Sequence, residues 1–245
     1  MAELNPFNGN GNGTGGGGCS CDDAEIKALI AKNSGNIDRI ADYLGFVLSV
    51  EYLPLAQNQG VIIDDGVGID TGLTLNGNAI FRFTGCLKDD VRMVSLLGAR
   101  VGTSTTERTC INVLPQSGQI QSHWANNAYK VLKDDMDFLQ PFDIIADKNQ
   151  TVITQNGVNI ATIQNGGFDG TNAETPICIF NQQLNKTNYY SPVLQRAEIE
   201  IDGVVTVFEP KIKRNTQTGV ESVVILKNGV DMVMDGLTLF DIQAI

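Results

Sequence analysis

The residues best suited to ligand chemistry in this chain lie in one short run, SHWANNAY, at residues 122–129. The run contains the single histidine, His123, the single tryptophan, Trp124, and three further polar or aromatic residues, Asn126, Asn127 and Tyr129. An exposed aromatic ring can stack on a sugar, and side-chain amides can bond its hydroxyl groups. The run is therefore a candidate glycan-binding site. The alternative is that Trp124 belongs to the core, where large aromatic side chains usually lie.

Enzymatic chemistry has few candidate residues. One histidine, no Gly-x-Ser-x-Gly motif, no phosphate-binding loop and no HExxH motif leave only carboxylate chemistry. The acidic pairs Asp64-Asp65, Asp89-Asp90 and Asp134-Asp135 stand beside turn-forming residues. We interpret them as solvated turns, with a calcium site as the alternative. A glycosidase needs two carboxylates at a set distance, which sequence does not reveal. We expect a protein that is not an enzyme and has no catalytic residue.

The cysteines do not form a recognisable metal site. Cys86, Cys110 and Cys178 lie in apolar, strand-like segments and are expected to be small buried side chains of a reducing compartment. Cys19 and Cys21 could bind a metal or link two chains, but no second ligand pair completes a zinc set. We interpret them as free thiols and predict neither a metal nor a cofactor.

The charge of the chain argues against nucleic acid as a partner. The net charge is −11, and basic residues do not form a stripe interleaved with aromatic ones. The amino terminus lacks the features of a signal peptide. The sequence also contains no run of about 18 apolar residues, which is the length needed to cross a bilayer. We expect synthesis in the cytoplasm and no membrane partner.

The elements that must position these residues are mainly β-strands. Alternation places Ala79, Phe81 and Phe83 on one face of a strand, and Ala197, Ile199 and Ile201 on one face of another. Asn156-Gly157 and Asp202-Gly203 separate alternating runs, which predicts two hairpins with type I′ turns. A dozen or more short strands favour an antiparallel β-sandwich of two sheets, a jelly roll in the broad sense, over residues 47–245.

A different periodicity precedes this body. Within the predicted helix of residues 22–46, the spacing alternates between four and three, which is a heptad seam. β-branched side chains at both core positions disfavour a dimer, so we predict a short coiled-coil stalk and a parallel homotrimer. The alternative is a single helix packed on its own domain. The seam consists of Ile26, Ile30, Asn33, Ile37, Ile40 and Leu44.

The first 21 residues are predicted to be an anchoring arm. Residues 8–18 are Gly-rich and have nothing to bury, so they cannot fold alone. A tip with larger side chains precedes them, and it suits a peptide that docks on another protein, with a disordered tail as the alternative. The anchoring residues would be Leu4, Asn5, Pro6 and Phe7.

Several motifs of the body, taken in order, resemble one family. These are IDTG at 69–72, LLGAR at 96–100, QNGV at 155–158 and the segment 197–220. Together they resemble the concanavalin-like or laminin-G-like jelly-roll domains of phage and prophage structural proteins. The resemblance covers roughly residues 50–235. It implies a sandwich head and, for many such domains, glycan binding.

Arm, tether, trimeric stalk and sandwich head, in that order, are typical of one class of virion protein. We expect a trimeric head fibre or capsid decoration protein of a tailed phage, located in the virion and held to a capsid or other virion protein by the arm. Its head would contact host surface glycans. The alternative is a carbohydrate-binding module or a tail-associated receptor-binding protein.

Overall fold

The described part of the chain is a set of short strands. A computed structural model describes residues 50–63, 68–75, 78–89, 93–100, 108–124, 127–132, 136–167, 175–181, 192–232, 234 and 236–242. These residues all belong to one unit, Ser49–Ile245. Over them the only helix is a 3-10 turn, Pro115–Ser117, which Gly118 ends in the left-handed conformation at φ 59°. No helix in this part of the chain has the length and apolar character needed to cross a membrane.

Seventeen strands form in the described residues. The first nine are β1 (Val50–Pro54), β2 (Gln59–Ile63), β3 (Ile69–Leu75), β4 (Ala79–Cys86), β5 (Val94–Arg100), β6 (Arg108–Leu114), β7 (Gln119–Trp124), β8 (Asn127–Leu132) and β9 (Phe142–Ala146). The others are β10 (Gln150–Gln155), β11 (Val158–Gln164), β12 (Thr175–Ile179), β13 (Val193–Ile201), β14 (Val204–Asn215), β15 (Glu221–Lys227), β16 (Val230–Met232) and β17 (Leu237–Asp241).

The strands pair into two antiparallel sheets. The larger sheet has eleven strands in the order β11-β10-β9-β4-β13-β14-β15-β16, with β1 against β14, β2 against β13 and β17 against β2. The smaller sheet has six strands in the order β3-β12-β5-β6-β7-β8. The prediction of a mainly β, antiparallel sandwich is confirmed.

Alternating side chains fill the space between the sheets. Phe81 and Phe83 of β4 and Ala197 and Ile199 of β13 are at most 2% exposed and belong to one apolar cluster, as the sequence predicts. That cluster also takes side chains of the smaller sheet, Trp124 among them. Because both sheets contribute to it, the core is a single layer between them.

The two predicted hairpin turns are confirmed. Asn156 and Gly157 have φ of 53° and 75°, and Asp202 and Gly203 have φ of 50° and 81°. Two consecutive positive φ values are the signature of a type I′ turn. Asn228 and Gly229 form a third turn of this kind, with φ of 50° and 82°, between β15 and β16.

The predicted arm (1–21) and coiled-coil helix (22–46) lie outside the described residues, as do the first residues of the predicted head. The trimer residues and the anchoring residues therefore stay predictions. The same holds for Cys19 and Cys21 and for most of the acidic pairs, since only Asp89 among those six residues is described.

Candidate functional site

The predicted glycan-binding run folds as a hairpin of β7 and β8. Trp124 is fully buried, and its ring stacks on Phe81 with 5.9 Å between the ring centroids. Alternation along β7 places Trp124 on the same face as Ser122 and Ile120, which is the face toward the core. The prediction that Trp124 is exposed and stacks on a sugar is therefore wrong, and the alternative that Trp124 belongs to the core is correct.

His123 lies on the opposite face of β7 and is only 3% exposed. Its Nε2 atom is 3.2 Å from Oε1 of Gln121. Burial, with a smaller effect of the Arg108 charge, lowers the pKa of His123 to about 4. The imidazole is therefore uncharged at neutral pH and too buried to bind a sugar. Asn126 lies outside the described residues, and Asn127 and Tyr129 are described only as β8 positions that pair with Trp124 and Ser122.

A buried chain of hydrogen bonds links Trp124 to the opposite sheet. Trp124 Nε1 donates to Ser122 Oγ at 3.0 Å, and this oxygen lies 2.8 Å from Oγ1 of Thr151 on β10. Asn165 Nδ2 donates to the same Thr151 oxygen at 2.9 Å and to the carbonyl of Asp147 at 2.6 Å. Among the described residues the buried Asn165 Oδ1 atom has no partner, while the other groups of this chain bond one another and so stabilise the core. Ser122 therefore has a structural role in the core.

A concave site forms elsewhere, where β14 changes its neighbour. Its first half pairs with β13 up to Phe208, and its second half pairs with β1 from Lys211 onward. Pro210 lies between the two ladders and has no N–H to donate. The pairing of β13 with β14 ends at Phe208, which leaves a gap between these strands. Beside this gap, the pairing of β13 with β4 has a register shift between Leu194 and Arg196. A proline and an irregularity of this kind are common where a sheet opens a site.

Two loops, the one between β1 and β2 and the one before β9, border this gap, and glutamine side chains bond to both. Gln195 Nε2, at the register shift, donates to the carbonyls of Gln57 and Gln59 at 2.9 and 3.1 Å. Gln155 Nε2 bonds the carbonyls of Asp137 and Gln140 at 2.7 and 3.3 Å. These bonds fix the β1–β2 loop and the loop before β9 before any ligand arrives.

Between the loops lies a groove of about 630 Å³, a size typical of small-ligand sites. We call it the strand-switch groove. Its lining combines apolar side chains with neutral amides, one hydroxyl and one pair of opposite charges. The lining residues are Pro54, Leu55, Ala56, Gln57, Asn58, Gln59, Thr84, Gln140, Pro141, Gln195, Glu209, Pro210, Lys211 and Ile242.

The two charges of the groove neutralise each other. Lys211 Nζ lies 2.8 Å from Glu209 Oε1, and the farther cation, Arg196, lies 4.0 Å from the same carboxylate. Alternating charges continue across the outer face of the larger sheet, because Arg196 pairs with Glu198 at 2.9 Å. Arg82 then pairs with Glu200 at 2.8 Å. The groove therefore has almost no net charge in a chain of net charge −11.

Cysteine and metal chemistry have no visible role in the described residues. Cys86, Cys110 and Cys178 are buried, as predicted, and all three are thiols rather than halves of a disulfide. Burial, with a smaller effect of a nearby aspartate, raises the pKa of the Cys86 and Cys178 thiols to about 12, so both stay protonated. Over the described ranges, no group of three or more His, Cys, Asp or Glu residues is placed to hold a metal ion.

The groove was not predicted from the sequence, although one residue signals it. Pro210 interrupts an alternating run that otherwise predicts a central strand, and a proline there indicates an edge or a break. The loop residues that complete the groove come from distant parts of the chain and have no motif in common.

Comparison with known proteins gives only weak structural likenesses. No known protein family matches the chain, and no curated protein matches it. One similar solved structure is Ruminococcus gnavus IT-sialidase CBM40 bound to alpha2,3 sialyllactose, with TM-score 0.44, 14% identity and coverage of 58% of this chain and 90% of that chain. Another is mouse laminin alpha1 chain, domains LG4-5, with TM-score 0.44, 11% identity and coverage of 76% of this chain and 47% of that chain. Both are concanavalin-like jelly-roll β-sandwiches, and at such low scores the likeness says nothing of what this chain binds.

Proposed function

We propose that this chain is a structural protein of a tailed-phage virion, a homotrimeric head fibre or capsid decoration protein with a lectin-like head. The arm of residues 1–21 attaches it to a capsid or other virion protein, the helix of residues 22–46 forms the trimeric stalk, and the sandwich binds host surface glycans. The sequence pattern supports the arm and the stalk, through the Gly-rich tether and the heptad spacing.

The strand-switch groove is the observation that supports glycan binding. It presents side-chain amides and a hydroxyl beside proline and leucine side chains. Sugars display hydroxyl groups around an apolar ring face, so a site for them needs both kinds of surface. Because the walls are already held by Gln195 and Gln155, little ordering is required when a ligand binds.

The same groove supports binding rather than hydrolysis. Among the described residues that line the groove, Glu209 is the single carboxylate, and it is paired with Lys211. Glycoside hydrolysis ordinarily needs two carboxyl groups that flank the scissile bond. We therefore propose a head without enzymatic activity.

Two measurements test the proposal. The purified full chain should bind immobilised host-envelope polysaccharide and release no soluble sugar from it, whereas reproducible release would contradict the non-enzymatic role. Light scattering should give three chains for the intact protein and one for a variant that lacks residues 1–46. A single chain in the intact protein would contradict the stalk.

The second candidate is a tail-associated receptor-binding protein or a free carbohydrate-binding module. It shares the groove, so attachment to particles separates the candidates. A chain that lacks residues 1–18 should lose attachment to capsids and keep its trimeric state. Attachment that survives this truncation, or attachment to tails alone, would favour the second candidate.

A further inference from the structure

We propose that the strand-switch groove takes a neutral oligosaccharide and rejects sugars that carry a carboxylate. The inference rests on the proposed function and adds the class of glycan and the residues that select it. Three properties of the groove lead to it: free hydrogen-bonding groups, apolar surface and paired charges.

The free hydrogen-bonding groups belong to the β1–β2 loop. Gln57 and Asn58 are exposed, and among the described residues no hydrogen bond uses their side-chain amides. Their backbone carbonyls are already occupied, by Gln195 Nε2 and by the Ile242 N–H at 2.7 Å. The loop is thus held through its backbone while both amides face a ligand. Each amide offers donors and an acceptor, which is what uncharged hydroxyl or acetamido groups require.

The apolar surface lies next to these amides. Pro54 and Leu55 come from the end of β1 and the residue after it, and Pro141 comes from the loop before β9. Rigid proline rings give contact area with little loss of conformational entropy. A sugar ring can lie against them with its hydroxyl groups directed toward Gln57 and Asn58.

The paired charges account for the rejection of carboxylates. The Lys211 side chain is only 18% exposed, and its ammonium group is bonded to Glu209 at 2.8 Å. Arg196 is engaged by Glu198 at 2.9 Å. An anionic sugar would therefore meet the Glu209 carboxylate, which is 40% exposed, without a free cation to offset it. The net charge of −11 adds a general repulsion.

The test uses saturation-transfer NMR titrations of the full chain with four probes. Lactose, maltotriose and N-acetylchitotriose are the neutral ones, and α2,3-sialyllactose extends lactose by one carboxylate sugar. We expect binding of at least one neutral probe and none of sialyllactose. Gln57→Ala should weaken that binding by about two- to tenfold, the effect of one hydrogen bond. Gln164→Ala, which removes an exposed glutamine on β11, is the control and should change nothing.

A second variant tests the charge argument directly. Glu209→Gln removes the carboxylate, so Lys211 becomes available to an anionic sugar. Binding of sialyllactose should then become detectable, because one exposed ion pair can strengthen binding by up to about fivefold. Far-UV circular dichroism and Trp124 fluorescence should match the parent protein in all variants, which excludes unfolding as the cause.

The outcomes separate this inference from the proposed function. Sialyllactose binding to the parent chain without neutral binding would overturn the neutral class and leave a glycan-binding head. If no probe binds, or if neutral binding is unchanged in Gln57→Ala, the assignment of the groove is overturned. Binding of host-envelope polysaccharide that persists in Gln57→Ala would then keep the proposed function. If the parent chain binds neither the four probes nor the polysaccharide, both proposals are overturned.

Discussion

Replacement of Ser122 by alanine tests the buried hydrogen-bond chain at the centre of the sandwich. Ser122 Oγ accepts from Trp124 Nε1 at 3.0 Å and lies 2.8 Å from Thr151 Oγ1. All three side chains are fully buried. The substitution removes one oxygen and leaves two buried polar groups without this partner, the indole N–H and the Thr151 hydroxyl.

The magnitude follows from those two groups. A buried donor or acceptor that loses its partner costs about 1 to 3 kcal/mol. The Thr151 oxygen keeps its bond from Asn165, so its penalty lies at the low end of the range. We expect Ser122→Ala to lower the free energy of unfolding by about 2 to 4 kcal/mol. Because all three side chains are fully buried, we expect no exposed water to replace the lost oxygen as a partner.

Urea denaturation followed by Trp124 fluorescence measures the effect, because Trp124 is the single tryptophan of the chain. The matched control is Ser95→Ala on β5. Ser95 is also fully buried, but its hydroxyl has no hydrogen-bond partner in the part of the chain that the structure describes. Removal of an unpaired hydroxyl should leave stability unchanged or raise it by about 1 kcal/mol.

The double variant Ser122→Ala with Thr151→Val refines the test. When the Thr151 hydroxyl is absent, removal of the Ser122 hydroxyl leaves only the indole N–H without a partner. The losses of unfolding free energy in the two single variants should therefore sum to more than the loss in the double variant. Equal losses for Ser122→Ala and Ser95→Ala, or strict additivity in the double variant, would refute the reasoning.

Three further predictions concern other parts of the chain. His123 has a folded pKa of about 4 against about 6.5 unfolded, so the unfolded state takes up its proton first as the pH falls. Between pH 6.5 and 4, the free energy of unfolding of the parent chain should fall by about 3 kcal/mol more than that of His123→Gln. Denaturation curves at each pH measure both, and equal falls would contradict the prediction. Gly85→Ala should prevent folding, or lower the free energy of unfolding several times more than Gly157→Ala does. A Cβ at Gly85 would overlap the Val193 carbonyl oxygen. A Cβ at Gly157 would meet no described atom within 4 Å, so that variant should lose only about 1 kcal/mol, for the φ of 75°. Asn33→Ile should raise the stability of the predicted trimer by about 1 to 3 kcal/mol and mix its chain numbers. Unchanged melting and mass in light scattering would mean that the heptad spacing is incidental.

Local patterns predicted much of the sandwich. In β4 and β13, alternation assigns the buried and exposed faces because successive side chains of a strand point to opposite sides. The Asn-Gly and Asp-Gly pairs predict their turns because these residues tolerate positive φ at little cost. The same rule also predicts the turn at Asn228-Gly229, which was not among the turns identified from the sequence.

Other strands were missed for a physical reason. The run of residues 122–129 was interpreted as a ligand site, yet its first three residues are the end of the interior strand β7. Ser122 and His123 are buried because they find partners within the fold, as Ser122 does with Thr151. Burial of a polar residue depends on such partners, which neighbouring residues in the sequence do not reveal.

The sequence by itself determined the strand-rich class, the faces of the central strands and the positions of the tight turns, since these depend on residues that are close in the chain. The tertiary structure alone decided that Trp124 lies in the core and that the groove lies at the change of partner along β14. Both depend on which distant strands meet: Phe81 reaches Trp124, and Gln195 reaches the loop at Gln57. Contacts across such separations follow from the pairing of the sheets, which no local pattern contains.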